Sequence, residues 1–130
     1  MPDQLKLSIT LPVKAEQLYH DWLDSVAHGA FTGGAANIMP VVGGQYTAWD
    51  GYISGKTLEL DPPRRILQSW RSTDFPPDAP ESLLEVLIEP EGDGCRLTLV
   101  HTNIPAGQGK DYDKGWKESY FEPMEAYYRQ

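Results

Sequence analysis

Three histidines and one cysteine are the side chains of this 130-residue chain with the widest chemical range, and four tryptophans are its largest recognition surfaces. His20, His28 and His101 lie too far apart to suggest a metal site by spacing, and no zinc-type Cys/His pattern is present. His101 continues the apolar parity of Leu97 and Leu99, so it is expected to point inward from a strand. An inward histidine is either a satisfied core group or a ligand-orienting group or general base. Cys95 lies in the same strand-like run and reads as an inert buried thiol. A lone cysteine excludes an internal disulfide and fits a reducing, cytoplasmic compartment. There is no nucleophile elbow and no phosphate-binding loop. The sequence therefore nominates no catalytic residue and no metal ligand, and no cofactor is expected.

These groups must be positioned by the elements around them, above all by residues 110–128. Trp116, Tyr120, Met124 and Tyr127 fall at spacings that place them on one stripe of a helix. Lys117, Glu118, Glu122 and Glu125 occupy the opposite face, and Asp111 and Asp113 suit the first turn as caps. Pro123 should bend the helix near residues 119–122. Gly115 has two readings: the helix starts late, at Trp116, or a backbone or ligand approaches closely there.

Upstream, Leu5, Leu7, Ile9 and Leu11 alternate with polar residues, which predicts a half-buried strand ended by Pro12. Residues 14–23 predict a short helix turning Leu18 and Trp22 inward. Residues 24–44 are rich in Gly and Ala and read mostly as loop, with one helical turn over residues 27–32. Five strands follow: two joined by a tight turn at Gly55-Lys56, one over residues 66–72, then 83–89 and 95–102. Asp50, in Trp49-Asp50-Gly51, is expected to bond local backbone at a turn or bulge. Short connections imply one antiparallel sheet of six strands, and with the terminal helix an α+β fold.

The length fits a single domain over residues 1–130. A net charge of −8 disfavours nucleic acid and anionic membranes as partners. No run approaches the roughly 20 apolar residues of a membrane helix, and the start MPDQLKLSITL lacks signal-peptide features.

Five runs occur in an order that resembles one family: FTG (31–33), GGQYTAWDGYISGKTLEL (43–60), RILQSWR (65–71), CRLTLVHTNIP (95–105) and GWKESYFEPM (115–124). Over residues 11–128 the chain resembles the Hsp90-ATPase-activator-homologue-like (AHSA1-like) family of the START/Bet v 1 (SRPBCC) superfamily. The resemblance implies a helix-grip fold, a curved antiparallel sheet around a long C-terminal helix with an internal cavity. The superfamily includes lipid and hormone carriers, aromatase/cyclases, hydroxylase subunits and co-chaperone domains, so fold alone leaves function open. The eukaryotic co-chaperone carries a further N-terminal domain that these residues do not include, which argues against full Hsp90 activation.

The expected cavity wall comprises Trp116, Tyr120 and Met124 from the helix and Val86, Leu99 and His101 from the strands. Trp49 and Trp70 join it if their strands face inward, and Phe31 and Ile38 form a lid or mouth. Each aromatic also has a plain core-packing role. A small, mostly hydrophobic molecule such as a lipid is the expected partner. The alternatives are an Hsp90-type chaperone partner, with a link to stress response, and a cyclase- or hydrolase-like enzyme using His101. The sequence is silent on a homodimer.

Overall fold

The computed structural model describes residues 2–129. Its elements run β1 (Asp3–Leu11), α1 (Ala15–Leu23), α2 (Ser25–Thr32), β2 (Asn37–Ile38), β3 (Gln45–Ala48), β4 (Ile53–Asp61), β5 (Arg65–Ser72), β6 (Ser82–Glu91), β7 (Gly94–Ile104), α3 (Gly109–Trp116), a π-helical turn (Lys117–Phe121) and α4 (Glu122–Tyr128). All strands join one antiparallel sheet in the order β1-β7-β6-β5-β4-β3-β2. The sheet thus has seven strands where six were expected. The addition, β2, is two residues long and leaves no periodicity in a Gly/Ala-rich stretch.

The expected turn at Gly55-Lys56 is also displaced. Gly55 lies inside β4 opposite Tyr46, where a Cβ would stand 2.0 Å from the Ser69 carbonyl oxygen. Glycine is needed there for close strand approach rather than for turning. The chain reverses instead at Trp49, Asp50 and Gly51, with φ of 52°, 58° and 92°. Asp50 closes a bond to a distant loop: its Oδ1 accepts from the Ala35 N–H, and its own N–H donates to the Ala35 carbonyl.

The terminal helix begins at Gly109, not at Trp116. Neither Asp111 nor Asp113 caps it. The Asp3 carboxylate, from the start of β1, accepts from the N–H groups of Gly107 and Gly109, both at 2.9 Å. The predicted irregularity appears as the π turn, where the Glu122 N–H bonds the Lys117 carbonyl. Pro123 has no N–H to offer the carbonyl four residues back, so the local hydrogen-bond register loosens by one residue. Met124 (0% exposed), Trp116 (3%) and Tyr120 (5%) all face the sheet, as their spacing predicts.

Opposite them, Leu84, Val86 and Ile88 of β6 pair with His101, Leu99 and Leu97 of β7, all buried. The far end of the terminal helix is tied to α1, where the Tyr128 hydroxyl donates to the buried Asp21 carboxylate at 2.6 Å. No helix among the described residues is long and apolar enough to cross a membrane.

Candidate functional site

The space between sheet and helix lies at one end. Beneath α2 the interior closes to a gap of about 10 Å³ among Trp22, His28, Ile38, Trp70, Trp116 and Tyr120. Toward the Trp49–Gly51 turn it opens into a cleft of about 580 Å³. One wall is the terminal helix, with Tyr112, Gly115, Trp116, Ser119 and Tyr120. The other is Trp49, Tyr52 and Ile53 at the turn and Trp70 on β5. Asp74, Gln108 and Asp111 complete the rim.

Local structure explains why this end stays open. Gly115 is one of the helical residues facing the cleft, and a Cβ added there would meet nothing within 4 Å. Of the two readings of Gly115, the late start is excluded, because the helix begins at Gly109, and no backbone approaches the Gly115 face, which is left open. Trp49 is held at an unusual backbone position because Gly34 leaves room for its indole: a Cβ on Gly34 would lie 2.5 Å from the ring. A positive φ in a bulky residue is strained by roughly 1–3 kcal/mol, and such strain persists only where the surroundings enforce it.

The remaining wall is fixed by Arg71. Its guanidinium donates to the carbonyls of Ala79, Pro76 and Pro77 and lies 5.6 Å from the Phe75 ring centre. Phe75 in turn packs on Trp70 and Tyr112.

Of the ten residues expected to line a cavity, Trp49, Trp70, Trp116 and Tyr120 border the cleft. Phe31, Val86, Leu99, His101 and Met124 lie in the packed core, and Ile38 borders only the small gap. Spacing identified the inward faces but could not say where packing stops. Tyr52, Asp74, Gln108, Asp111 and Tyr112 were missed. Tyr52 follows the Trp49–Gly51 turn, whose place was expected but whose anchoring to Ala35 was not, and the others sit on loops or a first helical turn whose docking depends on distant partners.

His101 points inward and is 0% exposed. The Trp116 indole N–H donates to its Nδ1 at 3.1 Å. Its Nε2 must therefore carry the proton and donate to the Ser82 hydroxyl at 2.8 Å, which donates onward to the Trp70 carbonyl at 2.7 Å. Burial lowers its pKa to about 3. Both nitrogens are committed, so the ring has neither a free lone pair nor a free proton for a substrate.

His28 is the mirror case and was not singled out beforehand. Its Nδ1–H donates to the Trp22 carbonyl, and its Nε2 accepts from the Tyr120 hydroxyl, both at 2.9 Å. Burial lowers its pKa to about 4, against a smaller opposing effect of the Trp22 carbonyl. Cys95 is buried, and desolvation pushes its thiol up to about 11, which makes it a poor nucleophile. Among the described residues no group of three or more His, Cys, Asp or Glu could hold a metal ion.

The family model described as activator of Hsp90 ATPase homolog 1-like protein matches residues 12–129. The human activator of 90 kDa heat shock protein ATPase homolog 1 is 27% identical over 119 residues, covering 92% of this chain and 35% of that protein. The Dictyostelium discoideum activator is 31% identical over 93 residues, 69% of this chain and 24% of that protein. The chain thus spans only about a third of the length of the human relative, or less for the other.

An HSP90 activator from Plasmodium falciparum matches with a TM-score of 0.87 at 22% identity, over 95% of this chain and 94% of that one. CalU16 from Micromonospora echinospora matches with a TM-score of 0.78 at 21% identity, over 93% and 73%. At these identities the structures show a shared fold.

Proposed function

The chain belongs to the activator of Hsp90 ATPase homolog 1-like family, and from that premise we propose that it is a binding module whose cleft takes up a small, mostly apolar molecule. The observation that supports this reading is the uneven packing: a filled interior of about 10 Å³ beside an aromatic cleft of about 580 Å³. Small-molecule sites run from about 300 to 1,000 Å³ and are mostly apolar with a few polar groups at fixed positions. Glycine at the cleft face of the helix and an enforced Trp49 conformation fit a site kept open rather than a packing defect. A thermal-shift screen over lipids and aromatic metabolites tests it. A true ligand at 100 times its Kd adds about 2.7 kcal/mol of stability, a rise in Tm of several degrees for a domain of this size. No shift from any member, and an equally indifferent Gly115→Leu variant, would sink the reading.

A second reading is contact with an Hsp90-type chaperone. It draws on the names of the relatives and on exposed Val26 (81%), Met39 (60%), Val41 (52%) and Val42 (62%). Val26 is linked to this edge by its neighbour Ser25, whose hydroxyl accepts from the Ile38 N–H. Exposed apolar residues grouped on one edge suit protein contact. Micromolar binding to a purified Hsp90-type chaperone, lost in Met39→Asp/Val42→Asp, is the expected outcome, and no complex at that concentration would dispose of it.

A further inference from the structure

Among the described residues the only charged side chains bordering the cleft are two carboxylates, Asp74 and Asp111, and no Lys, Arg or His lines it. Among the described residues neither carboxylate belongs to an ion pair. They are nevertheless placed by a chain of bonds. Asp74 accepts from the Tyr52 hydroxyl, and its backbone carbonyl accepts from Gln108 Nε2 at 3.0 Å. Gln108 Oε1 accepts from the Tyr112 hydroxyl at 2.7 Å. The loop bearing Asp74 is thereby stapled to the start of α3, which bears Asp111.

The same bonds decide the polarity of the cleft. Both rim phenols already donate their protons, Tyr52 to Asp74 and Tyr112 to Gln108, so neither has an O–H left for an incoming ligand. The pKa of Tyr52 is raised first by its bond to Asp74, against a smaller opposing effect of the Ser72 hydroxyl, and further by burial and the fields of Asp74 and Asp111. Tyr112 is raised by burial and then by Tyr52 and the same two carboxylates. Behind the rim stand Trp49, Trp70 and Trp116, the side chains that best attract a cation through the ring face. An anion entering here would meet two like charges and few free donors, a bias against it built into the site.

We propose that the cleft selects a monocation with a flat apolar body, of the arylalkyl-ammonium class, its body among the indoles and its head at the Asp74–Asp111 rim. This rests on the reading of the cleft as a small-molecule site, and the test separates the two. The probes are (2-naphthylmethyl)trimethylammonium, its uncharged carbon isostere and 2-naphthalenesulfonate, titrated calorimetrically into the full chain and into Asp74→Asn/Asp111→Asn. The ammonium should bind at least about tenfold more tightly than the isostere, the sulfonate weakest. The double variant should remove that preference and leave the isostere unchanged, since only the charged head feels the two carboxylates. Raising salt from about 10 mM to about 1 M should weaken only the ammonium. Equal binding of the three probes, or a preference untouched by the variant, overturns cation selectivity while leaving an apolar site. No binding by any of them at millimolar concentration overturns both.

Discussion

Gly115 occupies a helical position where alanine would be favoured by roughly 1 kcal/mol, yet nothing in the fold excludes a Cβ there. Gly115→Ala should therefore raise stability by about 0.5–1 kcal/mol in urea unfolding. Gly115→Leu should keep the helix but fill the cleft, abolishing any ligand-induced thermal shift without lowering the midpoint. A Leu variant that still binds would show that the cleft is not the site.

The His101 relay yields a second prediction at this scale. Trp116→Phe preserves most of the ring but leaves Nδ1 of His101 buried without a donor, a loss of about 1–3 kcal/mol. The inward direction of His101 was legible from its parity with Leu97 and Leu99. Its partners were not, because Trp116 and Ser82 reach it through tertiary packing, and nothing local in the chain links them.

Element boundaries follow the same division. β1, β5, β6, β7 and the apolar stripe of the terminal helix could be read because burial on one face imposes a period on the sequence. β2 could not, since it is two residues long; at Trp49–Gly51 a turn or bulge was legible, but not its partner, because Asp50 is held by Ala35 across the fold rather than by local backbone. The start of α3 is a similar case. Local acidic residues suggested a cap, whereas the carboxylate that binds the orphan N–H groups is Asp3, some hundred residues away. Long-range capping makes the helix start report on the docking of β1. Asp3→Ala should lower the unfolding free energy by about 1 kcal/mol, with Asp3→Asn milder. Asp111→Ala should cost less than Asp3→Ala, and the reverse order would restore the local cap.

For the molecule as a whole, His28 and His101 pin the helical layer to the sheet and to itself: His28 joins α1, α2 and the π turn, and His101 joins β7, β6 and α3. Both are held neutral, with pKa values of about 4 and about 3 against about 6.5 in an unfolded chain. In the interval between, the unfolded state binds more protons than the folded one, so stability rises with pH there. Their contribution is complete above about pH 6.5 and is lost progressively as pH falls toward the folded values. Each histidine forfeits up to about 1.4 kcal/mol per pH unit, which amounts to roughly 3–4 kcal/mol for the pair between pH 7 and pH 5. Most carboxylates titrate lower in the unfolded state, near 3.9–4.3, so this window belongs chiefly to the histidines. Urea midpoints measured at pH 7, 6 and 5 should fall accordingly, and His28→Gln should show about half the slope whatever its own stability. A slope unchanged in that variant would mean that His28 titrates alike in folded and unfolded chains, and that the Tyr120–His28–Trp22 clasp does not depend on a neutral ring.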